Sequence, residues 1–522
     1  MKSNVDIASI DHVGDLPQDR NSPNQAIQVP GETSVLTPAR IGLLLGVATI
    51  IGAVLRLHLL AARSLWIDEA ASVSFATLSG KAFLKTLWGY QGNMALYYTV
   101  LHGWIHLGDS EFAVRSLSVL CGVLTIPAIY LLGARLFDRV TGLTAAALLS
   151  VHSFHIHWSQ ETRAYSLLIL LLVVTSYVLV LAMESPRKMR YWMVFSVLAA
   201  LCVYAHVFAV LVLAALALAI IFPGPFRVDV PTVVASAAVF GLLCEPMAAF
   251  VVVQHADQLD WIPRPSLAGI YEFLKLLTGQ GGVLLIVAYF ALCGLALLDP
   301  PGIKRSKKEN WALRLLVLWL FLLPVVTLAA TPIKPLFYPR YMVICVPALV
   351  LLAARGITNL YRLPTVKHWP AVAAFFLVIT LSAWGTHEYF VNLANETSDW
   401  RSAVNYILEH QQPGDGAVFF LPNAYCYRYY VHRAESQHAV STAPDVLYPP
   451  AVVRSQLADD LRQLTAGRQR VWFILHIEVI DPQAAAIIQS TLAERFQVVE
   501  RHKFPGEDLI TVALYSRPSA EH

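Results

Sequence analysis

Charge is what this 522-residue chain has least of: 14% of its residues are Asp, Glu, Lys or Arg, against 57% hydrophobic. A soluble fold of this size cannot hide that much apolar surface, and a mean hydropathy of +0.56 points to a bilayer as the solvent. The net charge of +3 is small and spread along the chain, so the basic stripe that a nucleic-acid partner needs is missing. Of six cysteines, Cys121, Cys202, Cys244, Cys293 and Cys345 lie inside apolar runs and only Cys426 in a polar region, which excludes a disulfide framework. A Gly-rich phosphate loop, an internal repeat and a low-complexity tract are all wanting. Residues 1–38 also lack the charged-then-apolar pattern and cleavage site of a secretory signal. Polar and rich in Asp, Asn, Gln and Pro, they read as a disordered cytoplasmic tail, with the first apolar run as an uncleaved anchor.

What is present is a succession of apolar runs of the length a membrane-crossing helix requires, about 17 to 25 residues. They fall near 40–62, 112–134, 140–157, 165–183, 231–253, 282–298, 311–330, 341–354 and 369–386, and the run 191–222 has room for two short crossings with a turn near His206. Eleven spans follow. The segment 94–107 is apolar but short, and the positive-inside rule decides it. Arg135/Arg139, Arg187/Lys188/Arg190, Arg227, Lys304/Arg305/Lys307/Lys308 and Arg355/Arg362/Lys367 share the cytoplasmic side only if 94–107 does not cross. It is therefore expected as an interfacial helix, with Tyr97, Tyr98 and Trp104 at headgroup level. The expected protein is mainly α, a polytopic bundle over 39–388 in the inner (cytoplasmic) membrane. Residues 389–522 are expected to form a small extracytoplasmic α/β domain, because helix signals near 398–409 and 481–495 alternate with strand signals at 417–421, 470–476 and 509–515.

The polar chemistry gathers at the outer borders of these spans. Trp66-Ile67-Asp68-Glu69 puts two carboxylates after the first span, where a helix N-terminus would also favour acids. Glu161, Arg163 and Tyr165 occupy a very short loop at the bilayer surface, either as a local ion pair or as a site. Arg340 and Tyr341, with Lys334 nearby, stand at another outer border, suited to a lipid phosphate or to snorkelling towards ordinary headgroups. His152, His155 and His157 invite a zinc reading, but their spacing on one helix would splay them. Glu245, followed by Pro246 inside a span, reads either as functional or as a protonated acid in a kinked helix.

Taken together, these motifs resemble the GT-C glycosyltransferases of family 39, which includes protein O-mannosyltransferases and the aminoarabinose transferase acting on lipid A. The resemblance rests on Leu65 to Glu69, on Leu96-Tyr97-Tyr98 through Glu111 to Ser118, on Gln160 to Leu167, on Asp260 to Ser266, and on Arg340-Tyr341. It implies transfer of a sugar from a polyprenyl-phosphate donor to a protein, lipid or polysaccharide acceptor, with Asp68 as base. Glu69 is a weaker candidate that positions the acceptor, and Glu161 orients Arg163 or touches the sugar. Arg163 and Arg340, with Tyr165 and Tyr341 beside them, are the expected substrate-binding groups. Relatives often carry a basic residue and prolines before the Leu-Tyr-Tyr element, where this chain has Gly92-Asn93-Met94-Ala95, so Lys81 or Lys85 would have to supply that contact. The motifs single out no cofactor, and a divalent metal is compatible with them. A lipid-linked oligosaccharide ligase or polymerase, and a multi-span solute transporter, are the competing readings; the latter predicts paired ionisable groups near the midplane.

Overall fold

The computed structural model describes residues 37–89, 91–221, 224–254, 262–299, 304–363, 368–393, 398–419, 424–437, 445–447, 456–475, 482–506 and 509–518. Residues 1–36 of the expected tail, Asp260-Trp261, and the ends of three expected elements (Leu421, His476 and Asp481) lie outside them. Residues up to Leu43 form one unit and Leu44–His522 another, and every contact described below lies within the second.

The first half runs α1 (Pro38–Leu57), α2 (Ile67–Ala76), α3 (Gly80–Gly89), α4 (Ala95–Trp104), α5 (Glu111–Leu136), α6 (Arg139–Ser150), α7 (Ser153–Ser159), α8 (Tyr165–Glu184), α9 (Met189–Ala205) and α10 (Ala209–Ile221). Then come α11 (Val230–Gln254), α12 (Leu267–Leu277), α13 (Gly282–Leu297), α14 (Lys307–Ala329), a 3₁₀ turn at Pro339–Cys345, α15 (Val346–Tyr361) and α16 (Trp369–Asn392). Seven described helices are long and apolar enough to cross a membrane, and there are eight if α12 and α13, bent by 71°, count together as one span. The remaining expected crossings are shorter: α9 and α10 are separate apolar helices, and the run 140–157 is cut at His152 into α6 and α7. The α12–α13 bend is held by Gln280, a non-glycine residue at φ 62°, and by Gly385, where a Cβ would stand 2.0 Å from the Gly279 carbonyl oxygen. The span that carries α15 is enclosed by protein over its whole apolar window, as a helix apolar on every side must be.

The segment 94–107 forms only the short α4 and flanking 3₁₀ turns, too brief to cross. Its tyrosines are not at a headgroup surface, however. Tyr97 and Tyr98 are buried against α2 and α5, and Tyr97 Oη meets Ser118 Oγ at 3.1 Å. Trp104, half-buried, donates Nε1 to the Ala113 carbonyl at 3.0 Å.

Of the basic residues expected on the cytoplasmic side, Arg135, Lys308, Arg355 and Arg362 share one end of the helices, and Lys367 lies outside the described residues. Arg355 and Arg362 pair with Asp138 and Glu309, and Lys308 and Arg135 pair with Glu184. Along α5 this end is separated from Arg115 by twenty residues, roughly 30 Å of helix.

After α16 come α17 (Trp400–His410), α18 (Ala424–Ser436), α19 (Leu457–Leu464) and α20 (Pro482–Ala493) around a five-stranded sheet. Its strands are β1 (Gly416–Val418), β2 (Asp445–Leu447), β3 (Arg470–Leu475), β4 (Gln497–Phe504) and β5 (Ile510–Ser516), in the order β2-β1-β3-β5-β4. β1 is parallel to β2 and β3, while β5 runs antiparallel between β3 and β4, with Val471 opposite Tyr515. α17 starts as its Ser-Asp signal predicts, Asp399 Oδ1 accepting from Ser402 N at 3.1 Å.

Candidate active site

Asp68 lies in the first turn of α2, with its side chain one-third exposed. Two guanidinium groups from distant parts of the chain reach it. Arg340, at the start of the 3₁₀ turn before α15, brings Nη1 to 3.1 Å from Oδ2, and Arg163, from the loop before α8, brings Nη2 to 3.4 Å of the same oxygen. Arg340 lies over the rings of Trp66 and Tyr338, at 5.4 and 4.8 Å, which fixes its plane by cation–π attraction. Arg163 is held from behind, since Nη1 also donates to the Asp68 carbonyl at 3.3 Å and to Ser72 Oγ at 3.4 Å. Burial works against the Arg163 charge, but the Asp68 carboxylate beside it keeps the guanidinium above its ordinary value. Three residues read separately from the sequence thus converge.

The other two expected carboxylates are placed differently. Glu69, adjacent to Asp68, turns inward and is fully buried. It accepts from Arg115 Nε at 2.9 Å and Nη2 at 2.7 Å, and from Thr162 N at 2.8 Å. Burial alone would push its carboxyl up; the charge and hydrogen bonds of Arg115 overcome that and hold it below the usual range. Positioning an acceptor directly is closed to such a group, and its contacts make it an anchor for α2. Glu161 is likewise enclosed: it pairs with Arg63 Nη2 at 2.6 Å and accepts from Trp66 Nε1. Its carbonyl accepts from Arg163 N at 2.8 Å, but among the described contacts its carboxylate does not meet the Arg163 side chain; burial raises its carboxyl despite Arg63. What it orients is Trp66, the ring under Arg340.

Sequence reasoning missed Arg115 and Arg63. Besides Glu69, Arg115 donates to the carbonyls of Leu60, Arg63 and Ser64, at 2.9, 3.0 and 2.9 Å, and so closes the turn that leads into α2. Arg115 stands inside the Glu111–Ser118 stretch that carried the resemblance, and this was its only signal. Tyr165 and Tyr341 are buried near the cluster, packing on Trp158 at 4.4 Å and Phe208 at 4.8 Å respectively. Lys81 and Lys85 are exposed on α3, and no contact among the described residues joins them to Asp68. His152 and His155 part company, one on the Leu277 carbonyl at 3.1 Å and the other on Arg56 at 2.8 Å. No three His, Cys, Asp or Glu side chains among the described residues gather as a metal site requires. Glu245 is exposed on α11 and takes no part in the cluster.

The segment after α16 grips the same turn from its other side. Tyr430 Oη accepts from Leu65 N at 2.8 Å and contacts Glu111 Oε1 at 3.2 Å. Ser64 Oγ bonds Asp399, and Arg401 donates to the Ala61 and Arg63 carbonyls. The residues just before Asp68 are thus clamped between Arg115 and α17–α18.

A many-span bundle with an acid held by two arginines at a helix border, and a small sheet beyond it, has the GT-C fold of membrane glycosyltransferases. The family model for dolichyl-phosphate-mannose-protein mannosyltransferase matches residues 94–250, a stretch that holds Arg115, Glu161, Arg163 and Tyr165 but neither Asp68 nor Arg340. Among solved structures, ArnT from Cupriavidus metallidurans in the apo state is 13% identical, with 91% of this chain and 98% of that one covered at a TM-score of 0.55. The same protein bound to undecaprenyl phosphate gives 12%, 92%, 98% and 0.55. The Archaeoglobus fulgidus oligosaccharyltransferase tethered with an acceptor peptide gives 10% identity, 92% of this chain, 74% of that chain and 0.51. At such identities the likeness is one of fold. No curated protein matches the sequence.

Proposed function

We propose that this chain is a membrane glycosyltransferase that moves a sugar from a polyprenyl phosphate to the hydroxyl of an acceptor, with inversion at the anomeric carbon. The observation that carries the reading is Asp68 set between Arg163 and Arg340. A phosphate-linked sugar already has a good leaving group, so the reaction needs a base for the incoming hydroxyl and cations for the departing phosphate. Both are at hand. The acceptor oxygen forms its bond to the anomeric carbon while its proton passes to Asp68; the bond from that carbon to the phosphate oxygen breaks, and its electron pair leaves with the lipid phosphate. Arg163 and Arg340 stabilise the charge that gathers there. A phosphate that draws these guanidinium groups towards itself also releases the Asp68 oxygen for the acceptor. Arg115, Glu69, Glu161 and the α17–α18 clamp keep Asp68 in place without touching substrate.

The placement of α1 to α16 in the inner membrane, with the Asp68 end and residues 389–522 outside the cytoplasm, belongs to the same proposal. Two facts support it. The arginine-rich end lies a helix length away from Asp68, and α17–α18 dock at the Asp68 end. The bound lipid phosphate of the ArnT structure supports the choice of donor.

The test is incubation of the purified protein with a panel of polyprenyl-phosphate monosaccharides, with mass spectrometry of the released lipid phosphate. One or more donors should be consumed; no consumption, together with solute uptake in liposomes, would mean transport. Arg163→Ala and Arg340→Ala should each weaken undecaprenyl phosphate binding by roughly 10-fold or more, the size of a lost charge-assisted hydrogen bond. Unchanged affinity in both would remove the phosphate site. Tyr430→Phe leaves the buried Leu65 N–H unpaired, at a cost of about 1–3 kcal/mol. Its kcat should fall several-fold while lipid phosphate affinity holds; an unaltered kcat would show that the clamp is irrelevant to Asp68.

A further inference from the structure

His206 separates α9 from α10, and nothing local demands a break there, since Tyr204-Ala205-His206-Val207-Phe208 contains neither proline nor glycine. The extended backbone of His206 (φ −167°, ψ 131°) is held from outside: Val207 N donates to Asn93 Oδ1 at 2.9 Å. Asn93 sits in the short turn Gly92–Met94, and a Cβ on Gly92 would fall 2.8 Å from the Phe250 ring, so this turn is itself closely seated. The segment in which this sequence departs from its resembling family therefore has a task of its own, which is to present His206.

The imidazole is neutral by its contacts. Nδ1 accepts from Phe208 N at 3.2 Å, which puts the ring proton on Nε2. That Nε2–H is buried and has no hydrogen-bond partner among the described residues. Around the ring stand Phe208 and Tyr341, each at 5.4 Å, and Tyr165 at 5.8 Å. The Tyr165 hydroxyl is also buried; the Arg163 guanidinium stands close enough to donate to its oxygen, and its own proton has no acceptor among the described residues. Buried donors are almost always satisfied in folded proteins, so two on neighbouring rings beside the Asp68 cluster mark the place of a polar guest.

Two features fix the chemistry of that guest. Both donors are uncharged, whereas the groups suited to phosphate, Arg163 and Arg340, already turn terminal nitrogens to Asp68. The donors are also set in a wall of aromatic rings, a lining with apolar faces and polar tips that fits a pyranose and its hydroxyls better than an anion. We propose that His206 Nε2 and Tyr165 Oη donate to a hydroxyl of the sugar carried by the lipid donor and so form its sugar-reading subsite, an inference that rests on the glycosyltransferase reading above.

The experiment compares binding of bare undecaprenyl phosphate with that of undecaprenyl-phosphate monosaccharides, on the full-length protein and on Tyr165→Phe, His206→Phe and His206→Gln. The unaltered protein should bind at least one sugar-bearing lipid more tightly than the bare one. Tyr165→Phe and His206→Phe should lose that preference by roughly 5- to 10-fold, the usual worth of one neutral hydrogen bond. Both should bind bare undecaprenyl phosphate within about twofold of the unaltered protein, because neutral bonds to the sugar contribute nothing there. His206→Gln, whose amide nitrogen reaches the Nε2 position, should recover part of the preference. Tyr165→Phe keeps the ring and so tests the hydroxyl even if His206→Phe fails to fold. Equal losses on bare and sugar-bearing lipid would assign these donors to the phosphate and overturn the proposal, as would an unaltered preference in Tyr165→Phe. Failure of the unaltered protein to bind bare undecaprenyl phosphate would instead count against the glycosyltransferase reading itself.

Discussion

Asp68→Asn lowers transfer by roughly 100-fold or more, the usual size of a general-base effect, while the carrier lipid still binds. The substitution keeps the shape of the side chain and one oxygen to accept from Arg340, but it removes the charge and the capacity to take a proton. Binding should move in the opposite direction to turnover. With the carboxylate gone, Arg163 and Arg340 lose the anion they hold at 3.4 and 3.1 Å, and an incoming phosphate no longer competes with it. Undecaprenyl phosphate affinity is therefore expected to stay level or rise. Single-turnover kinetics and lipid-binding titrations on the same preparation separate this pattern from misfolding, which would depress both. An Asp68→Asn protein with full transfer activity would take the base role from this residue.

The convergence of Asp68, Arg163 and Arg340 was legible because each is a charge at the border of an apolar run, where partners are obligatory. Which of two adjacent carboxylates faces the site was not. Neighbouring positions on a helix point about 100° apart, and only the packed structure shows Glu69 turned to Arg115 and Asp68 turned to Arg163 and Arg340. Tyr97 and Tyr98 misled for a related reason: an aromatic residue in a short apolar segment suits a lipid interface and a protein interior equally well. In the sheet region, β3 and β5 were visible from their apolar runs. β4 was not, because Gln497–Phe504 is a charged and mostly exposed edge strand, a pattern that protects a sheet edge from further pairing and erases the alternation a reader looks for. α18 was equally silent; its buried Tyr430 and Cys426 face the turn before Asp68, so their pattern makes sense only against that partner.

Arg115→Met should do the greatest damage to the fold around the site, by about 3–5 kcal/mol, the cost of stripping one partner from a buried ion pair. Both side chains of the Arg115–Glu69 pair are fully enclosed, so the Glu69 carboxylate would be left with Thr162 N, the Trp66 backbone N–H and only the more distant charge of Arg63, without a cation bonded to it. The carbonyls of Leu60, Arg63 and Ser64 would lose their donor in the same step. The double variant Arg115→Met/Glu69→Gln distinguishes these two losses. Neutralising Glu69 removes the unpaired charge, so thermal stability of the detergent-solubilised protein should recover in part. Activity should not recover with it, since the turn from Leu60 to Trp66 stays unclosed and Asp68 follows directly from that turn. Recovery of stability and activity together would mean that Arg115 only neutralises Glu69, and that the clamp of α17–α18 is sufficient to hold Asp68 against Arg163 and Arg340.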